Sequence, residues 1–147
     1  TGDKTAGVGF YSGALKKNSK DDTKDNVSVF GTNADSFVTP QVIKGKLFQN
    51  DKEIIISEDL AKEKNLKLND TVTIGNLEDK LTIVGIIKKT SYSVEPVVYT
   101  NLNTYSLLKY GEIPEDTNAI AINLVAVKNK KYEDILITQN KQQPLEK

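Results

Sequence analysis

The sequence predicts an α+β fold, a mixed β-sheet with two or three short helices packed on it. Three observations predict this class. Apolar runs of strand length recur along the chain, separated by stretches that contain Gly, Asn, Asp or Pro. Helix signals appear only in brief stretches between them, opened by a polar capping residue. The 147 residues are enough to bury one core and carry no internal repeat or linker-like shift in composition, so a single domain over residues 1–147 is expected.

Residues 8–15 alternate weakly and predict a first strand. Residues 16–26 are wholly polar and predict a mobile loop. Val27 to Phe30 make a second strand, closed by Gly31, Thr32 and Asn33; residues 37–40 and 42–48 predict an irregular connector. Glu53 to Ile56 form a short buried strand ended by Ser57, a good helix N-cap. Glu58 and Asp59 follow where the helix dipole favours negative charge, and residues 60–66 supply one short helix with Lys62 and Lys64 toward its end. Asn69 and Asp70 turn the chain into a strand at 71–75.

The loop 75–79 joins that strand to residues 80–87, whose apolar side chains fall on both faces. This strand is expected to be central and covered on both sides. Residues 96–100 form a strand opening with Pro96. Thr100 or Asn101 caps a helix that places Leu102, Tyr105 and Leu108 at three-residue spacing, stopped by Gly111 and Pro114. Residues 118–127 are a late, nearly all-apolar strand; Tyr132, Ile135 and Leu136 fit a final helix or a strand equally.

Composition removes whole classes of chemistry. All twenty basic residues are lysine, balanced by twenty acids, so no field draws polyanions and no arginine is present to grip bases; no nucleic-acid partner is expected. Without cysteine or histidine there are no thiol nucleophiles, disulfides, ordinary zinc sites or imidazole catalysis, and no metal or cofactor is expected. Lysine in place of arginine, with many Asn and Ile, fits AT-biased coding in a low-GC bacterium. There is no methionine even at position 1, so the chain reads as a segment of something longer, or else as a processed product. No apolar run approaches the roughly 20 residues that span a bilayer.

Several motifs match catalytic patterns only by letter. Ser106-Leu-Leu-Lys109 has the Ser-x-x-Lys spacing of penicillin-recognising enzymes but lacks their partner motifs, and reads as an amphipathic helix. Asp21, Asp22 and Asp25 have the Asp-Asp-x-x-Asp form of a magnesium–diphosphate site, here inside a lysine-rich solvated run. Gly7, Gly9 and Gly13 follow no buried strand, as a nucleotide loop requires. Asp51, Glu53, Glu58 and Asp59 form no evident acid pair, and no catalytic residue is expected. Tyr92, Tyr99, Tyr105 and Tyr110 cluster in sequence and read either as core residues with their hydroxyls at the surface or as an interaction surface for a partner or lipid.

One stretch carries a family resemblance. Gly45-Lys-Leu-Phe48, Glu53-Ile-Ile-Ile-Ser-Glu-Asp-Leu-Ala-Lys-Glu63, Leu66-Lys-Leu-Asn-Asp-Thr-Val-Thr-Ile74, Leu81-Thr-Ile-Val-Gly-Ile86 and Pro96-Val-Val-Tyr-Thr-Asn-Leu102 together resemble the extracytoplasmic domain of MacB/FtsX-type ABC transporter permeases. Asn69 stands where that family usually has glycine, a mild departure because both tolerate positive φ.

The resemblance implies a MacB-like periplasmic core domain lying between the first and second transmembrane helices of a permease, on the extracellular face of the cell membrane. It implies a cytoplasmic ATPase partner, a second permease copy, and attachment through flanking membrane helices, with the isolated domain a monomer. The implied role is mechanical rather than enzymatic: ATP-driven helix motion gates or expels a substrate (haem, peptide or lipid-like). The run from Val84 to Tyr99 looks most like the haem-exporter and DevC-like branch of Gram-positive permeases. An alternative resemblance, carried by residues 57–72, is to the AbrB-like or double-psi β-barrel, a cytoplasmic module binding nucleic acid or protein.

Overall fold

The computed structural model describes residues 5–18, 20–21, 25–33, 40–90, 93–115 and 124–127. In chain order its elements are β1 (Thr5–Lys16), β2 (Asp25–Gly31), β3 (Lys44–Gly45), β4 (Glu53–Ser57), α1 (Glu58–Glu63), β5 (Thr71–Ile74), β6 (Leu81–Ile87), β7 (Val97–Thr100), α2 (Leu102–Tyr110) and β8 (Leu124–Val127). The strands follow the order β2-β7-β4-β6-β5-β1-β8, and β1 also pairs with β2. The path through β1, β2, β7, β4, β6 and β5 therefore returns to its start, and the mixed sheet is a closed ring. Its ladders are parallel at β2–β7 and β4–β6 and antiparallel at β1–β2, β1–β5, β4–β7 and β5–β6.

Every strand of the ring supplies one buried apolar cluster, in which Leu15, Val29, Ile54, Val72, Ile83 and Val98 meet, so that cluster fills the interior. Leu60 of α1, Leu66 just after it and Leu108 of α2 join the same cluster. Because α1 follows β4, α2 follows β7, and those strands run antiparallel, the helices close opposite mouths of the ring. A second cluster, including Phe30, Ile55, Val84 and Tyr99, lies on the outer face under Phe48, Val42 and Leu47 of the connector.

β6 serves both clusters through a bulge. Ile54 lies opposite Ile83 but Ile55 lies opposite Gly85, so Val84 is the extra residue and the in–out alternation slips by one. Leu81, Ile83 and Ile86 then face the interior, while Val84 and Ile87 face outward. The expected central strand is thus explained by position and by this slip together.

Some local expectations need correcting. Ser57 occupies the N-cap of α1, but its hydroxyl makes no cap hydrogen bond. It accepts instead from the Val97 backbone N–H at 3.2 Å, tying β4 to β7. The helix is also shorter than expected, ending at Glu63 with Lys64 as its C-cap. Asn101, rather than Thr100, caps α2 by accepting from the Thr104 N–H at 2.8 Å, and Gly111 ends it at φ 83°. Asn69 makes the expected turn at φ 76°. The expected helix or strand at Tyr132, Ile135 and Leu136, and the expected strand before Leu124, lie outside the described residues.

Candidate functional site

The four tyrosines do not form one surface. Tyr99 is 1% and Tyr105 0% exposed, whereas Tyr110 is 47% exposed; Tyr92 lies outside the described residues. Tyr99 points outward from β7 into the second cluster, its ring 5.6 Å from that of Phe30. Tyr105 lies on a pair of glycines that face each other across β1 and β2, Gly9 opposite Gly31. A Cβ at Gly9 would come within 2.3 Å of the Tyr105 ring, and one at Gly31 within 2.3 Å of the Tyr105 Cβ. The missing side chains make the flat seat on which α2 rests. Burial there pushes the Tyr105 hydroxyl well above its ordinary range. Lys109 reaches across the same seat to the Phe10 carbonyl at 3.4 Å, and burial lowers its ammonium.

The letter-matched motifs are each engaged in structure. The Ser106 hydroxyl donates to the Glu112 carbonyl at 2.7 Å while Lys109 turns toward β1, so no Ser–Lys dyad forms. Gly7, Gly9 and Gly13 lie within β1 and open no helix. Asp51 and Glu53 sit at one end of β4, Glu58 and Asp59 at the other, so they cannot converge. Asp51 accepts from the Asn101 side chain at 2.9 Å. Glu53 accepts from the Gln49 and Asn50 N–H groups at 2.7 and 2.9 Å, bonds that hold its carboxyl below the usual range. Glu95 accepts from the Ser12 and Ser28 hydroxyls, pinning the approach to β7. A groove of about 550 Å³ runs beside β5 between Lys16, Thr73, Asn76 and Lys80, and Glu78 is the one carboxylate among its described lining residues. Among the described residues no three His, Cys, Asp or Glu side chains converge as metal ligands.

The polar run at 16–26 was expected to be solvated, and here the structure differs. Asp21 and Asp25 both hold the Lys64 ammonium, Asp25 at 2.8 Å. The Lys64 side chain is only 8% exposed, and that of Asp21 12%. Burial alone would lower the ammonium, but the hydrogen bonds from Lys64 to Asp21 and Asp25 outweigh it and raise it above its ordinary range. In return, Lys17 donates to the Lys64 and Asn65 carbonyls at 3.3 and 3.1 Å. The cation bound by the aspartates is the protein's own. Sequence reading missed this because Lys64 lies far along the chain and no periodicity links it to Asp21.

The other notable arrangement is a ribbon. Beyond the ring, the first residues of β1 pair with β8, from Thr5 opposite Val127 to Val8 opposite Leu124. An early and a late part of the chain therefore leave the ring side by side, and β1 continues from this ribbon into the ring without a break. Among the described residues no helix is long and apolar enough to cross a membrane.

Residues 4–135 match the model of the MacB-like periplasmic core domain. The chain belongs to that family. Solved structures with the same fold include the extracellular domain of the noncanonic ABC-type transporter YknZ from Gram-positive bacteria, at 17% identity and a TM-score of 0.57, over 75% of this chain and 59% of that one. The periplasmic region of MacB from Actinobacillus actinomycetemcomitans aligns at 18% identity and a TM-score of 0.54, over 79% of this chain and 60% of that one. A domain of a putative permease protein from Porphyromonas gingivalis aligns at 15% identity and a TM-score of 0.54, over 78% and 52% respectively. The chain thus spans little more than half the length of these solved domains. No curated protein matches it. A MacB-like core domain with a mixed sheet and few short helices is what the resemblance implied. The closed ring shares strand closure with the alternative barrel reading, but the family match assigns it elsewhere.

Proposed function

We propose that this MacB-like core domain is the extracellular part of an ABC transporter permease, carried between two membrane-spanning segments of its parent protein. The observation that supports this most is the β1–β8 ribbon, which brings an early and a late part of the chain out side by side. A domain inserted between neighbouring membrane helices needs such paired exits, and close ends are the usual mark of a tolerated insertion. Motion of the flanking helices would enter through the ribbon and pass along β1 directly into the ring. A packed ring filled by branched aliphatic side chains suits that role, because dense interiors shift as units rather than deform.

In this reading a cytoplasmic ATPase partner drives the helices, two permease copies act together, and the paired domains gate or expel a substrate leaving the membrane: haem, a peptide or a lipid-like molecule. The domain supplies no chemistry of its own. Among the described members of the tyrosine set, Tyr110 is the exposed one, with Ile113 also exposed three residues on, and is offered for contact with a partner. The test is to replace residues 5–127 of the parent permease with a short flexible link and measure ATP-driven export from vesicles. The expected result is loss of export with membrane insertion and ATPase activity retained. Undiminished export, or a parent protein without membrane spans on both sides, would overturn the reading.

A further inference from the structure

We propose that Lys17 and Lys64 form a clasp across the join between β1 and β5, and that this join is where the ring opens first. The argument begins with the ladders. β1 and β2 pair continuously from Gly9 opposite Gly31 to Leu15 opposite Asp25. β4 and β6 pair from Glu53 to Ser57. By contrast, β1 meets β5 only at Leu15 opposite Ile74 and Lys16 opposite Thr73, extended by one bond from the Gly75 N–H to the Ala14 carbonyl. β5 meets β6 through a ladder of the same length, Thr71 opposite Thr82 and Val72 opposite Leu81, but two further bonds extend it, from the Asn69 N–H to the Ile83 carbonyl and from the Ile83 N–H to the Asp70 carbonyl. A ring opens at its least-paired join, because that opening breaks the fewest backbone bonds.

The clasp lies immediately past the end of this join. Lys17 follows Lys16, the last paired residue of β1, and donates to the Lys64 and Asn65 carbonyls, where α1 ends and the chain turns toward β5. Lys64 is the C-cap of α1 and Asn65 follows it, so a cation at their carbonyls sits at the negative end of the helix. Lys64 reaches the opposite way, to Asp21 on the connection between β1 and β2 and to Asp25 at the start of β2. Each side of the seam thus holds the other by a lysine, and the two contacts fail together if the sides separate. The proposal deepens the mechanical reading by naming the joint that yields, and to that extent rests on it; the clasp itself is a property of this chain alone.

Amide hydrogen exchange on the chain tests it without any transporter. In the unsubstituted chain, the amides of residues 71–75 exchange faster than those of β4 and β7. Lys64→Gln raises exchange at 71–75 by roughly tenfold more than at β4 and β7, since a buried charge pair loses its cation. Lys17→Gln, which leaves the buried ammonium in place, gives a smaller rise at the same residues and carries the test if Lys64→Gln does not fold. Leu108→Val, at the opposite mouth, gives no selective rise there. An even acceleration over all strands in the lysine variants, or none at 71–75, overturns the clasp. Failed export with an intact seam would count only against the transport reading.

Discussion

At the mouth covered by α1, Leu60 and Leu66 pack into the ring and charge fastens the rim: Lys64 sits between Asp21 and Asp25, and Lys17 caps the helix end. At the opposite mouth, shape makes the closure: α2 lays Tyr105 on the bare backbone of Gly9 and Gly31, with Leu108 inserted in the ring. A charged join is directional and can separate without a steric barrier, and water can replace its bonds. A packed join cannot accept one extra carbon, because interiors are close-packed and backbone cannot give way cheaply. One mouth is adjustable and the other is fixed. The fixed mouth also adjoins β1 close to the ribbon, where motion is proposed to enter.

The largest expected effect comes from breaking the fixed mouth. Gly31→Ala places a Cβ 2.3 Å from the Tyr105 Cβ, an atom held by the helix backbone, so α2 itself must shift. A loss of about 3 kcal/mol is expected, or roughly 6–12 °C in melting temperature for a chain of this size. Gly9→Ala meets the far end of the Tyr105 ring and costs about 2 kcal/mol. The pair separates under a second substitution: Tyr105→Leu relieves Gly9→Ala but not Gly31→Ala, since leucine keeps its Cβ. Equal rescue of both, read by thermal unfolding, would mean that α2 is not fixed where described.

The charged mouth responds less to substitution and more to pH. Lys64→Gln is expected to cost about 2 kcal/mol, below the range for a fully buried pair because Asp25 is 34% exposed. The Lys64 ammonium is raised in the folded chain above its ordinary 10.5. Its contribution is therefore complete below pH 10.5 and is lost as pH rises through the folded value. Urea titrations from pH 8 upward should show stability falling at the alkaline end, and Lys64→Gln should flatten that fall. An unchanged slope in the variant would place the alkaline loss elsewhere, for example on tyrosines.

The two mouths were also unequally legible in the sequence. The succession of elements along the chain from β4 to β7 follows from local pattern: the Ile54–Ile56 run, the Asn69–Asp70 turn and the apolar run at Leu81–Ile87 each announce themselves. Ring closure does not, because it depends on β1 meeting β2 on one side and β5 on the other, and no local pattern records such a pairing. Tyr105 fell on a helix stripe as expected, but its seat needed Gly9 and Gly31 to lie opposite each other. The Lys64 pairing was hidden for a different reason. Asp21 and Asp25 sit in a run whose composition reads as solvated, and only the fold brings a buried cation to them. Ser57 shows that a capping residue type does not guarantee a cap, since the Val97 N–H takes its hydroxyl.

The smallest expected effect concerns the turn that opens β4 beside α2, where the Lys52 N–H donates to the Thr104 hydroxyl at 2.8 Å. Glu53 begins β4 and accepts from the Gln49 and Asn50 N–H groups, closing the 49–52 turn with its carboxylate. Those bonds, above all the one from Gln49, overcome partial burial and hold its carboxyl below the ordinary 4.5. As pH falls, the unfolded chain takes up this proton first, so the contribution is full above pH 4.5 and disappears as pH drops through the lower folded value. The site is solvent-screened, so about 0.5 kcal/mol is at stake. Glu53→Gln should remove this acid-side component and leave the alkaline fall untouched, because Glu53 touches neither Lys64 nor Tyr105. If Glu53→Gln also altered the alkaline limb, the turn and the α1 mouth would be coupled through β4, and the ring would respond to charge at its ends as one piece.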